Sequence, residues 1–192
     1  KHVNPSTEPA GFRLSLSGAP HIVWPDGRTT ALGEANAAML AWLALEGATP
    51  RARIAELLWP ESTPEAARAT LRQRLFTLKK SLNFELVCGQ ETLSLATGVV
   101  HDLTGSGTIL EKSGIAIGGE FGQWLARQQA QRGLGIREAL VTHMEQAEAT
   151  GDLNTALRHA RELLALEPLS ENAHRNLMRL HYLAGDRAAA LL

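Results

Sequence analysis

The sequence predicts a mainly α-helical chain with a small antiparallel β component. Three observations carry that reading. Short alternating segments separated by tight turns fill residues 12–32. Three segments with helical apolar spacing and clear stop signals follow over 34–82. Near the end, a Gly-Asp turn followed by Ala-Leu returns after 34 residues.

The 192 residues suggest one or two domains, and with 44% hydrophobic residues the chain can bury a real core. The formal net charge is −1, so no overall basic field draws the chain to nucleic acid. Residues 1–104 hold ten Lys/Arg and ten Asp/Glu, so any polyanion contact must come from a local patch. Cys88 is the only cysteine, which excludes an internal disulfide and fits a cytoplasmic setting. No apolar run has the length of a membrane span, and the opening KHVNPSTEPAG is not a signal peptide. Without an initiator Met, and with an apolar helical pattern still running at Ala188–Leu192, the chain reads as a piece of a longer protein.

In order, residues 1–11 are polar with two prolines and read as a flexible arm. Phe12 to Ser17 alternates apolar and polar, His21 to Trp24 is a second strand, and Arg28 to Leu32 a third. Gly18-Ala19-Pro20 and Pro25-Asp26-Gly27 supply the turns, so an antiparallel sheet is expected at the front. Glu34 to Glu46 is a strongly apolar helix ended by Gly47, and Arg51 to Trp59 is a shorter one ended by Pro60. Thr63 to Leu82 has the clearest helix start in the chain: Thr63 as N-cap, Pro64 at the first position, Glu65 in the first turn. Phe84 to Cys88 and Thr92 to Leu95 flank Gly89-Gln90-Glu91 as a hairpin, and Val99 to Leu103 is expected to return to the sheet as a strand. Sheet, three helices and hairpin is the order of a winged helix-turn-helix with an N-terminal β-sheet, the type found on response regulators.

Gly105, Gly107, Gly114, Gly118 and Gly119 mark 105–119 as a linker between a unit at 12–104 and a helical domain at 120–192. Trp124, Leu125, Ile136, Leu140, Met144 and Ala147 keep helical spacing, with a bend or break expected at Gly133 and Gly135. Gly151-Asp152 with Ala156-Leu157 recurs as Gly185-Asp186 with Ala190-Leu191. That is the tetratricopeptide period, with Pro168 where the repeat expects its closing proline. Ala160 stands at the usual aromatic position and Met178 at the usual small one, so tetratricopeptide-like, degenerate helix pairs are expected.

Of seven histidines, only His174 and His181 share a helix face, two turns or roughly 10.5 Å apart, and no Cys or clustered carboxylate joins them. No metal or cofactor is expected. Cys88 has no local His partner, the serines sit in no nucleophile turn, and the glycines of 105–119 spell no phosphate loop, so no enzyme is expected. Trp24, Trp59 and Trp124 read as packing residues.

The helix at 64–82 carries the candidate chemistry. Leu71, Leu75, Leu78 and Leu82 share one face and form its core side. Arg68, Arg72 and Lys79 flank that stripe on one side and Arg74 on the other, which suits phosphates. Gln73, Thr77 and Lys80 point outward, where they suit base edges. Phe76, also outward, either meets thymine methyls or packs on a neighbour. Arg51 and Arg53 of the preceding helix add phosphate contacts.

LLWPESTPEAARATLRQRLFTLKKSL, residues 57–82, resembles the DNA-binding signature of the Streptomyces antibiotic regulatory protein (SARP) family. The matching positions are Leu58-Trp59, Pro64, Ala67, Leu71, Leu75 and Leu78-Lys79. Leu163 to Leu191 and the Trp124 helix are similar to that family's bacterial transcriptional activation domain (BTAD). The resemblance implies a transcriptional activator that reads direct repeats in promoter DNA. It also implies a helical domain that aids homodimerisation, and a partner in RNA polymerase. Gln90-Glu91 at the expected wing tip is acidic, unlike a minor-groove contact. With the outward Phe76, it suits the second reading: a protein-interaction or signalling module whose winged helix has lost DNA binding.

Overall fold

The structure, a computed structural model, describes residues 11–104, 107–110, 119–186 and 188–189. The expected arm therefore lies outside the described residues apart from Gly11, as do Ala190, Leu191 and most of the Gly-rich segment. Contacts divide the chain into two units, Lys1–Gln129 and Ala130–Leu192.

The first unit is built around α1 (Glu34–Glu46). This helix is apolar on nearly every side, so it has to be enclosed. Ala37, Ala38, Met39, Leu40, Ala41 and Leu43 are all buried. Gly47 closes it, its amide donating to the Leu43 carbonyl. In front lie β1 (Arg13–Ser15), β2 (His21–Val23) and β3 (Thr29–Ala31), paired antiparallel in sequence order. The strands are short because Gly-Pro and Pro-Asp-Gly turns stop each after about three residues. Leu14 and Ile22 face the core, while Phe12 is held between Trp24 and Phe84, each ring 5.2 Å away.

Beyond Gly47, β4 (Thr49–Pro50) leads directly into α2 (Arg51–Leu58), and α3 (Pro64–Leu82) follows. Thr63 caps α3 by accepting from the Ala66 amide, and Asn83 ends it in the left-handed region. Leu71, Leu78 and Leu82 are buried, whereas Leu75 is only half-buried beside the core. β5 (Val87–Cys88) and β6 (Thr92–Leu95) form the hairpin. β4 adds to the free edge of β6, an edge where Pro50 can sit without breaking a ladder.

β7 (Val100–His101) then joins the first sheet beside β1, but parallel to it. This corrects the expectation of a purely antiparallel sheet: the four strands run β3-β2-β1-β7 and are mixed. Three helices and a hairpin separate β1 from β7, and a crossover of that length can return the chain in the same direction. A 3-10 turn at Asp102–Thr104 follows, and the Asp102 carboxylate accepts from the Leu16 amide (2.7 Å), the Ser17 amide (3.2 Å) and the Ser15 hydroxyl (2.9 Å). Residues 107–110 continue alongside: Leu110 donates to Leu16 O at 2.8 Å, and Ile109 and Leu110 are buried. That part of the expected linker is core.

The next helix, α4 (Gly119–Ala149), runs continuously through Gly133 and Gly135, which corrects the expectation of a break there. Both glycines face open space, so they cost helix propensity but leave the hydrogen-bond ladder intact. Its first turns belong to the first unit. Phe121 and Trp124 stack about Trp42, and Trp124 Nε1 donates to Glu46 at 2.6 Å. The division into units therefore falls inside α4, after Gln129, and not at 119–120.

In the second unit, α5 (Leu153–Leu166) and α6 (Glu171–Leu183) pack with Met144 and Ala147 of α4. Ala156 and Ala160 are fully buried, and their small side chains let the helices approach closely. The turn at Gly151-Asp152 is repeated bond for bond 34 residues later. Gly151 and Gly185 have φ of 78° and 82°. Asp152 and Asp186 donate through their amides to Ala147 and His181, and their carboxylates accept from the Thr155 and Ala189 amides. Among the described residues no helix is long and apolar enough to cross a membrane.

Candidate nucleic-acid interface

The side of α3 that turns away from its leucines carries the residues singled out in the sequence. Thr63 and Pro64 fix where the helix starts, and the buried leucines fix its rotation. Arg68, Arg72, Gln73, Arg74, Thr77, Lys79 and Lys80 are consequently all exposed. Arg68, Arg72, Arg74 and Lys80 make no ion pair among the described residues. These four positive charges stand on a single helix, each without an ion-pair partner among the described residues.

The hairpin borders this surface. The Arg51 amide donates to Glu91 O at 2.7 Å and its guanidinium to Gln90 O at 2.8 Å, so the start of α2 is tied to the hairpin loop. Gly89 makes that loop possible. At φ 109° it lies where side chains are strained, and a Cβ there would meet Thr92 O at 1.9 Å. Between hairpin and α3 run two adjoining cavities. One, of about 450 Å³, is lined by Arg51, Ala52, Arg68, Arg72, Gln90 and Glu91. The other, of about 210 Å³, continues along α3 past Arg72 to Phe76 and Lys79, with Leu75, Leu78, Leu86 and Val87 inside it.

The structure sorts the eight candidates into three groups. Arg51, Arg68, Arg72 and Lys79 line the groove. Gln73, Thr77 and Lys80 are exposed on α3 but line neither cavity. Arg53 stands apart, its guanidinium paired with the Glu120 carboxylate. Lys79 is also engaged, 2.7 Å from Glu85. Neither acid is visible as a partner in the sequence. Glu120 lies 67 residues from Arg53, and Glu85 lies across a helix end, where no periodicity operates.

Burial, with the charge of Glu85, pushes the Cys88 thiol above its ordinary pKa. It therefore stays protonated at neutral pH and is a poor nucleophile. Among the described residues no three His, Cys, Asp or Glu side chains are grouped to hold a metal ion. His174 and His181 are separately employed: His174 Nε2 lies 2.9 Å from Pro168 O, and His181 packs beside Asp186.

Residues 114–192 match the family model of the bacterial transcriptional activator domain. The stretch is under half of the chain and takes in α4, α5 and α6. That likeness points to the function class of bacterial transcriptional activation, a regulatory class and not a catalytic one. No curated protein matches the chain.

Proposed function

We propose that this chain is a sequence-specific DNA-binding transcriptional activator. In this reading the first unit is a winged helix of the response-regulator type, with α3 in the major groove and the β5–β6 hairpin as the wing. The second unit is a tetratricopeptide-like activation domain, serving homodimerisation and contact with RNA polymerase in the cytoplasm. The observation that carries the reading is the set of unpaired cations on α3, Arg68, Arg72, Arg74 and Lys80, facing solvent beside a hairpin. Exposed charge that meets no acid among the described residues is available to an external polyanion. The match of 114–192 to an activator domain supports the same reading independently.

The roles divide by position. Arg51, Arg68 and Arg72 hold phosphates along one wall of the groove, joined by Lys79 once it leaves Glu85. Gln73, Thr77 and Lys80 reach base edges, Gln73 being suited to adenine N6 and N7. Arg53 is withdrawn from the expected phosphate set by Glu120.

The test is binding of the full chain to duplex DNA over a salt series. Arg72→Ala lowers affinity for all sequences and reduces the slope of log K against log salt by about 1, whereas Gln73→Ala changes base preference. Binding untouched by both substitutions refutes the proposal. Retention of a protein but no DNA would favour the interaction-module reading, which the acidic Glu91 at the hairpin tip suits.

A further inference from the structure

Phe76 has no folding reason to stand where it does. It is 61% exposed, and among the described residues it stacks on no other ring. Its neighbours on α3 are polar or cationic: Gln73, Thr77, Lys79 and Lys80. It also borders the 210 Å³ cavity, whose apolar lining is Leu75, Leu78, Leu86 and Val87, with Arg51 and Arg72 beside it and Lys79 paired there with Glu85. The surface is thus an apolar notch set in a cationic face.

Two kinds of macromolecule offer an apolar group to such a notch: a protein side chain or a thymine methyl. The cations decide between them. Unpaired arginines around the notch favour a partner that brings dense negative charge with its apolar group. In the major groove of DNA, the thymine C5-methyl is that group. Resting on the DNA-binding reading above, we propose that Phe76 is a specificity-determining residue that reads one thymine, its ring and the adjoining apolar notch receiving the C5-methyl. Phe76 lies three residues after Gln73 and four before Lys80, so the thymine falls within the stretch of bases those two residues address.

The experiment uses the full chain. Duplexes are selected from a random-sequence pool with the wild-type protein, and the best is remade with deoxyuridine replacing each thymidine in turn. Loss of one methyl at one position lowers wild-type affinity about fourfold. Phe76→Ala removes the difference between the thymine and uracil duplexes, and Phe76→Leu keeps part of it. Arg72→Ala weakens both duplexes equally. Phe76 is exposed, so its variants keep the wild-type melting temperature, which circular dichroism checks. Wild-type binding that ignores every deoxyuridine overturns the proposal while leaving DNA binding intact, as does a difference that persists in Phe76→Ala. If no duplex is retained even at low salt, the DNA-binding reading falls and the thymine proposal with it.

Discussion

The second unit and helix α3 of the first treat their arginines differently. In the second, Arg137 meets Glu167, Arg158 meets Glu162, Arg175 meets Glu171 and Arg179 meets Glu148. On α3, Arg68, Arg72 and Arg74 meet no acid among the described residues. Paired charges cancel within a Debye length and leave little field, whereas unpaired ones project it. Near-zero net charge therefore hides a division of labour. Several arginines of the second unit are spent on nearby acids, and those of α3 stay exposed without an ion pair among the described residues.

Several measurements break or sharpen this contrast. The largest effect is expected from Arg68→Gln with Arg72→Gln: the salt slope of DNA binding falls by about 2, while thermal stability stays within about 0.5 kcal/mol of wild type. If the double variant instead melts early, these arginines serve the fold and the contrast fails. Next comes Gly89→Ala, which forces a Cβ onto Thr92 O and a positive φ onto alanine. A loss of roughly 1–3 kcal/mol in chemical unfolding is expected, accompanied by weaker DNA binding. Glu85→Gln is smaller and opposite in sign. It releases Lys79 to the groove, so affinity rises and the salt slope steepens by about 1.

The smallest effects belong to the second unit. Arg179→Ala costs at most about 1 kcal/mol, the worth of an exposed pair, and leaves DNA affinity unchanged. Acid probes the same pair. Hydrogen bonding to Arg179 holds the Glu148 carboxyl below its ordinary pKa, and hydrogen bonds to Thr155 do the same for Asp152. Groups depressed in the folded state contribute stability above their unfolded pKa and lose it as pH falls through the folded value. The melting temperature should therefore be flat near neutrality and decline below the ordinary carboxylate range, less steeply in Arg179→Ala.

Local chemistry made much of this legible. Thr63-Pro64 announces the start of α3 and Gly47 the end of α1, because caps act on the adjacent turn. The repeated Gly-Asp turn was readable for the same reason. What escaped reading depends on distant partners. The strand pairing of Thr49-Pro50 carries no local signal, because its partner, Thr92-Leu93, lies beyond two helices. The parallel direction of β7 follows from where a long crossover lands, which no local signal carries. Gly133 and Gly135 suggested a break, but a propensity cost of about 1 kcal/mol each is readily outweighed in a helix packed at both ends. On the candidate surface, the wheel places Arg68 and Arg72, yet only the fold reveals that Arg53 and Lys79 are already engaged.

The carboxylate of Asp102 also bears on the order of folding. It reaches back 85 to 87 residues to Ser15, Leu16 and Ser17, so those bonds close β1 to β7, with α1, α2, α3 and the hairpin between them, into a ring. Bringing such remote ends together costs on the order of 4 kcal/mol in chain entropy. Three hydrogen bonds to a charged acceptor, each worth about 1.5–3 kcal/mol, more than offset that cost, but they form only after the ends have met. Ring closure should therefore come late, after α1, α2 and α3 have assembled. The helix that carries the exposed cations would take shape early, and the sheet would seal the unit last.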